Sequence, residues 1–238
     1  MSNKDRVISN FCKISGISNS KAEQLYKKGA RNRSDLKNKK YFTKLPKLSK
    51  WDLNYKINKK ITLNDARNLF KYLKQYRNNK SGKFDIVAGV AAKKKFNEDL
   101  DILTTTPLSK LNFKNNKYFV IIDKIGKKLK QTLLVAYSKT GKIIHNVDSE
   151  YKLPKNIQYI KVDLFKTTKN EYVFAKFQYT ASKQYNIRIR KYAKDRGYKL
   201  SNKGMYYKGK KVKNIRSDRD IYKKLGKHYK PVKLRYIE

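Results

Sequence analysis

Glu98-Asp99-Leu100-Asp101-Ile102-Leu103 puts three acidic residues into four positions of a 238-residue chain that has 18 acidic and 61 basic residues. The nearest acids on either side are Asp85 and Asp123. In a strand, residues two apart face the same way, so Asp99 and Asp101 project side by side while Leu100 and Ile102 enter the core. Carboxylates held that close repel each other, and a bound divalent cation is the usual relief. Taken alone, Asp-x-Asp fits a solvated strand face as well as a metal site.

The strand pattern continues on both sides. Residues 84–88 form a short apolar strand reaching Gly89, and further strands are expected at 118–122, 132–137 and 159–165. In the last of these Ile160, Val162 and Leu164 take the core face, leaving Lys161 and Asp163 on the open one. A third carboxylate on a neighbouring strand would complete a cluster able to hold two metal ions, although many strands carry one exposed Asp.

Ahead of the strands the reading is helical. Ser20 and Glu23 form a capping box, Gly29 is the stop, and a second short helix begins near Ser34-Asp35-Leu36. Such a hairpin can present N–H groups to phosphate, but the local sequence favours an ordinary helical hairpin. Pro46 and Trp51 lie in a connecting region. Thr62 caps the clearest helix, whose face of Leu63, Ala66, Leu69, Phe70, Leu73 and Tyr76 is core packing. Residues 78–82 read as a linker. After the strands come a helix from Ser182 ended by Gly197, a small hairpin between Tyr206 and Val212, and a helix over 218–226.

The net charge of +43 is spread along the whole chain, which points to a polyanionic partner. Nineteen Tyr and ten Phe argue for a folded chain over a disordered basic one. Cys12 is the single cysteine, which excludes an internal disulfide and a Cys-based zinc site, and His145 and His228 are the only histidines. Enzymatic chemistry here would run on carboxylates and metal. No apolar run reaches membrane-spanning length and the first residues are no signal peptide, so a soluble intracellular monomer without a membrane partner is expected.

Three pieces then fall into a known order: 11–17 followed by Lys21-Ala22 and Leu25-Tyr26; Gly89 followed by Asp99-Leu100-Asp101; and Tyr179-Thr180-Ala181-Ser182 with Asn186 and Arg190. The 196–201 and 218–229 stretches continue the third. In this order the chain resembles the family X DNA polymerases, the group that includes DNA polymerase beta, and especially their compact viral members. The resemblance implies an α+β fold. A nucleotidyltransferase-type palm of mixed β-sheet with helices (81–172) would be flanked by an amino-terminal helical helix-hairpin-helix subdomain (1–80) and a carboxy-terminal α/β nucleotide-selection subdomain (173–238).

It also implies roles. Asp99, Asp101 and Asp163 would be the catalytic, metal-binding triad for two Mg²⁺ ions, with Mn²⁺ as a substitute, and Asp163 the general base or relay at the primer 3′-hydroxyl. Gly89, Lys93, Lys94, Tyr179, Ser182 and Asn186 would bind the deoxynucleoside triphosphate. Gly16, Ser18, Lys21, Lys161 and Arg190 would contact gapped or primer–template DNA. Backbone carbonyls of Cys12, Ile14 and Ile17 would hold Na⁺ or K⁺.

The departures are local. Gly89-Val90-Ala91-Ala92-Lys93 lacks the Ser and the triphosphate-clasping Arg usual in the family and is one residue shorter. Lys93 or Lys94 would supply charge there without a bidentate Arg fork. Gln178 replaces an aromatic or His near the sugar, and Ala181 the usual Gly. The match starts near residue 8, so no dedicated 5′-deoxyribose-phosphate lyase domain is expected. The expected function is gap-filling repair synthesis, in the nucleus, or in a cytoplasmic virus factory or virion for a viral protein. The alternatives are a template-independent nucleotidyltransferase, which Asn186 and Arg190 argue against, and a non-catalytic DNA-binding derivative, which the three retained aspartates argue against.

Overall fold

The computed structural model describes residues 1–55, 57–58, 60–75, 82–108, 111, 119–125, 130–138 and 157–236; Tyr76, the linker at 78–81, Tyr118 and His145 lie outside them. Ser2 opens α1 (Asn3–Cys12) through a capping box with Asp5. α2 (Asn19–Lys27) is capped by Ser18, whose hydroxyl accepts the Lys21 N–H. The expected Ser20–Glu23 box does not form, because Ser20 already lies in the first turn and Glu23 accepts instead from Asn19. Gly29, at φ +96°, ends the helix in the left-handed conformation that glycine adopts without strain.

The second short helix is only a 3-10 turn over Asp35–Lys37, followed by α3 (Lys39–Phe42). α4 (Lys47–Tyr55) replaces the expected connection around Pro46 and Trp51. Pro46 precedes its first residue and its carbonyl accepts the Lys50 N–H, a position where a missing donor costs nothing. Trp51 meets Tyr159 edge-on, ring centroids 5.4 Å apart.

The chain then enters the sheet through β1 (Ile57–Asn58), β2 (Ile61–Thr62), α5 (Leu63–Gln75), β3 (Phe84–Ile86), α6 (Ala88–Ala91) and β4 (Phe96–Asn97). β5 (Leu100–Thr104), β6 (Phe119–Ile125), β7 (Lys130–Ser138) and β8 (Ile157–Lys166) follow. Thr62 caps α5 by accepting the Asp65 N–H at 3.1 Å. The main sheet runs β3-β5-β8-β7-β6, with β1 also paired to β8. β5 and β8 are parallel and the remaining pairs along this path antiparallel, so the sheet is mixed.

Alternation assigns its two faces. Leu100, Ile102, Val162 and Leu164 are fully buried on the face that shares a core with Ala66, Leu69 and Leu73 of α5. By packing, therefore, the core of this sheet recruits residues upstream of 80, from Ile61 onward. The opposite face carries Asp101 and Leu103 on β5, with Lys161, Asp163 and Phe165 on β8. α7 (Tyr172–Tyr179) covers one end of it through Leu103, Phe165 and Tyr172.

The carboxy-terminal part holds α8 (Lys183–Lys194), β9 (Tyr198–Ser201), β10 (Gly204–Tyr207), β11 (Lys210–Lys211) and α9 (Asp218–Lys224). Ser182 caps α8 and Gly197, at φ +76°, follows it. The expected hairpin is the β10–β11 half of an antiparallel sheet that β9 completes. Arg235, fully buried, ties this unit together. It donates to the Lys230 carbonyl at 2.8 Å, pairs with Asp218 and lies 5.1 Å from the Phe177 ring centroid. Truncation would strand Asp218, and losing one partner of a buried pair costs about 3–5 kcal/mol. Arg235→Ala should lose that much in urea unfolding, whereas Arg219→Ala, an exposed residue stacked on Tyr229, should lose under about 1 kcal/mol. Equal losses would show that Arg235 does not hold this core.

Candidate active site

The carboxylates meet because of strand register. β5 and β8 pair with Asp101 directly opposite Asp163, and Asp99 stands one residue before β5. Each of the three offers an oxygen, and these atoms all lie within 4.8 Å of one another. Asp163 is the most enclosed, at 4% exposure. Thr132, its cross-strand partner on β7, donates its hydroxyl to Asp163 Oδ1 at 2.6 Å. Lys130 Nζ sits 2.8 Å from Asp163 Oδ2. Lys161 Nζ bridges Asp99, at 2.6 Å, and Asp163, at 3.5 Å.

Burial, reinforced by the charges of Asp99 and Asp163, pushes the Asp101 carboxyl up to about 7, against the pull of Lys161 and Lys130. Burial alone would lower the Lys161 ammonium, but Asp163 and Asp99 outweigh it and hold its pKa above the ordinary lysine value. Lys161, expected to contact DNA, is thus a member of the cluster.

Around the cluster the chain builds a small aromatic wall. Tyr179 stacks on Phe165 with centroids 4.7 Å apart, and its hydroxyl is hydrogen-bonded to Asn202 in the β9–β10 turn. Tyr236 donates to the Tyr179 carbonyl at 3.4 Å, and Lys94 Nζ lies 4.8 Å from the Tyr236 ring centroid. Burial raises both phenols, with a further push from the Asp101 charge, which places both rings within its field. The segment after β3 turns sharply: Ala88 and Lys93 adopt φ +55° and +60°, and the Lys94 N–H donates to the Gly89 carbonyl at 3.1 Å. Gly89 is required by close approach, since a Cβ there would stand 2.5 Å from Asn97 Oδ1. The charge reaching this pocket comes from Lys94; the Lys93 side chain is exposed.

Asn186 is turned inward, its amide donating to the Gln178 carbonyl at 2.8 Å, while its Oδ1 is buried without a partner. Ser182 is engaged as the α8 cap, accepting the Tyr185 N–H. Arg190 is exposed on α8, its Nε donating to the Asn186 carbonyl.

At the amino-terminal hairpin, Gly16 takes φ +85° and Ser18 caps α2 through the Lys21 N–H. α4 braces this turn: Ser15 N–H donates to buried Asp52 at 2.6 Å and Ser49 Oγ to the Ser15 carbonyl at 2.9 Å. Arg33 closes the network on Asp52. Ile14 and Ile17 are buried, the Ile14 carbonyl accepts the Ile17 N–H, and Cys12 is an exposed free thiol. Sequence reasoning missed Lys130, Thr132, Asn97, Asp52 and Tyr236, all brought in by long-range pairing or packing.

Residues 175–236 match the family model described as DNA polymerase beta thumb. The carboxy-terminal quarter is similar to a polymerase thumb. This relates the chain to DNA polymerases, supports a family X polymerase-like fold and implies contact with DNA. No curated protein sequence matches the chain. No helix among the described residues is long and apolar enough to cross a membrane.

A raised Asp101 has a definite consequence for stability. The folded state holds this proton more tightly than the unfolded one, so metal-free stability falls as pH rises from about 4 to about 7 and stays low above. In a chelator, Asp101→Asn should therefore raise the melting temperature most at pH 8, with the gain shrinking as pH approaches 4. A mutant that melts lower at pH 8 would show that Asp101 is not held against repulsion.

Proposed function

We propose that this chain is a DNA-directed DNA polymerase of family X that fills short gaps by two-metal phosphoryl transfer from a deoxynucleoside triphosphate to a primer 3′-hydroxyl. The observation that carries the reading is the Asp101–Asp163 register pair with Asp99 beside it, in a chain whose carboxy-terminal part matches a polymerase thumb. The donor set suits divalent metal: three hard oxygen ligands converge where a lysine ammonium already bridges two of them. Asp99 and Asp101 would hold the nucleotide ion, and all three carboxylates the catalytic ion. Bound there, two Mg²⁺ ions, or Mn²⁺ in their place, would acidify the primer hydroxyl and neutralise charge developing at the α-phosphate.

The protein's own groups would then act as follows. Lys161 yields its place on Asp99 and Asp163, freeing carboxylate oxygens. Thr132 keeps Asp163 in one rotamer, so that its other oxygen can take the hydroxyl proton. Lys94 leaves the Tyr236 ring for the triphosphate, a charge contact without the geometry of an Arg fork. Tyr179, backed by Phe165, packs under the sugar. Asn186 swings out to the incoming base, helped by the unmet Oδ1 that makes its inward position incomplete, and Arg190 meets the template strand. Gly16, Ser18 and Lys21 grip the DNA backbone at the hairpin, where the Cys12, Ile14 and Ile17 carbonyls receive a monovalent cation.

The test is single-nucleotide addition to a one-nucleotide gapped duplex with Mg²⁺, comparing wild type with Asp101→Asn. Templated addition should fall by more than about a hundredfold in the mutant, the upper end of what losing a supporting residue costs, while DNA binding persists. Failure of wild type with Mg²⁺, Mn²⁺ and every deoxynucleotide would favour the non-catalytic DNA-binding reading, which the missing Ser and Arg after β3 support.

A further inference from the structure

We propose that the outer face of the β9–β10–β11 sheet is a track for an unpaired DNA strand, with Tyr206 as a base-stacking platform between Lys199 and Lys211. Alternation sends Leu200 and Met205 into the thumb core, where Val212 also packs, and leaves the other face bare. On that face Tyr206 pairs directly with Lys199 on one side and with Lys211 on the other. Its ring folds back over Gly204, where an added Cβ would stand 3.0 Å from the ring edge and 3.4 Å from the Lys211 side chain. Beside the ring lies an open groove of about 470 Å³, lined by Gly197, Lys199, Tyr206, Lys208 and Gly209. Unlike Tyr198, Tyr206 does not belong to the apolar cluster beneath the sheet.

Charge selects the occupant. From Arg196 to Arg216 the chain has eight cations (Arg196, Lys199, Lys203, Lys208, Lys210, Lys211, Lys213, Arg216) and no acidic residue. None of Lys199, Lys208 and Lys211 is in an ion pair among the described residues. A phosphate backbone supplies the missing charge, and a ring flanked by ammonium groups accepts any nucleobase on its π face. A duplex keeps its bases stacked inside, so an accessible ring suits an unpaired strand. The track also starts at the right place: Asn202, in the turn joining β9 to β10, is hydrogen-bonded to the Tyr179 hydroxyl, which feels the Asp101 charge. A strand leaving the carboxylates would run onto this face.

The experiment is fluorescence anisotropy in a chelator, with a primer–template carrying a single-stranded 5′ template overhang and the same duplex made blunt. Because no catalysis is read, its failure is separate from failure of the polymerase reading. Tyr206→Ala should weaken binding of the overhang substrate by about 5- to 100-fold and leave the blunt duplex unchanged, while Tyr206→Phe retains wild-type binding. Lys199→Gln with Lys211→Gln should reduce the salt slope on the overhang substrate by about 1.4. Unchanged overhang binding in Tyr206→Ala, or equal losses on both substrates, would overturn the proposal; blunt-duplex binding serves as the control for folding.

Discussion

The parallel pairing of β5 with β8 is the constraint on which the rest depends. It places Asp101 opposite Asp163 on a partly buried surface, an arrangement that electrostatics opposes. The sheet can hold it because β8 is bonded on both flanks, to β5 and β1 on one side and to β7 on the other. Sliding one strand by a single residue would exchange the acids with Leu100, Ile102, Val162 and Leu164, and the core those residues share with α5 forbids that. Apolar burial on one face thus fixes the position of like charges on the other.

Acidic residues are scarce in this chain, and those in the described structure hold specific posts. Asp5, Asp65 and Asp220 close helix amino termini, Asp35 accepts backbone N–H groups in a turn, Asp52 braces the hairpin and Asp218 neutralises buried Arg235. Exposed cations are met instead by aromatic rings, such as Arg196 over Tyr192 at 3.6 Å and Lys227 over the same ring at 3.9 Å. Rings shield charge from apolar surroundings but do not cancel it, so the net charge stays available to a polyanion.

Much of this architecture was legible in the sequence wherever one face of an element carries the signal. The α5 stripe, the core residues of β5 and β8, and the Ser182 cap all follow from local periodicity or capping chemistry. Ser18 displaced Ser20 as the α2 cap because the choice turns on where the chain leaves Gly16, at φ +85°, and not on cap chemistry, which the two serines share. α4 was obscured by Pro46, which reads as a break when seen alone and as a helix start once Lys50 bonds back to it. Asp163 could be suspected but not placed, since its partnership with Asp101 is a register fact. Lys130 and Thr132 were invisible for the same reason: only the β7–β8 register brings them to the carboxylate.

The lysines in the cluster bear on how such a site can meet DNA at all. Three carboxylates without counter-charge would repel a phosphate backbone as strongly as they repel one another. Lys161 and Lys130 reduce that field from within, each less than 3 Å from a carboxylate oxygen. Neither is rigidly committed, because each side chain keeps about a quarter of its surface exposed. An ammonium on a flexible stem can leave a carboxylate when a divalent ion arrives, whereas a buried Arg fork such as Arg235 on Asp218 cannot without unfolding its surroundings. The two kinds of ion pair therefore divide by purpose: guanidinium where the structure must not move, and ammonium where the charge must be exchanged.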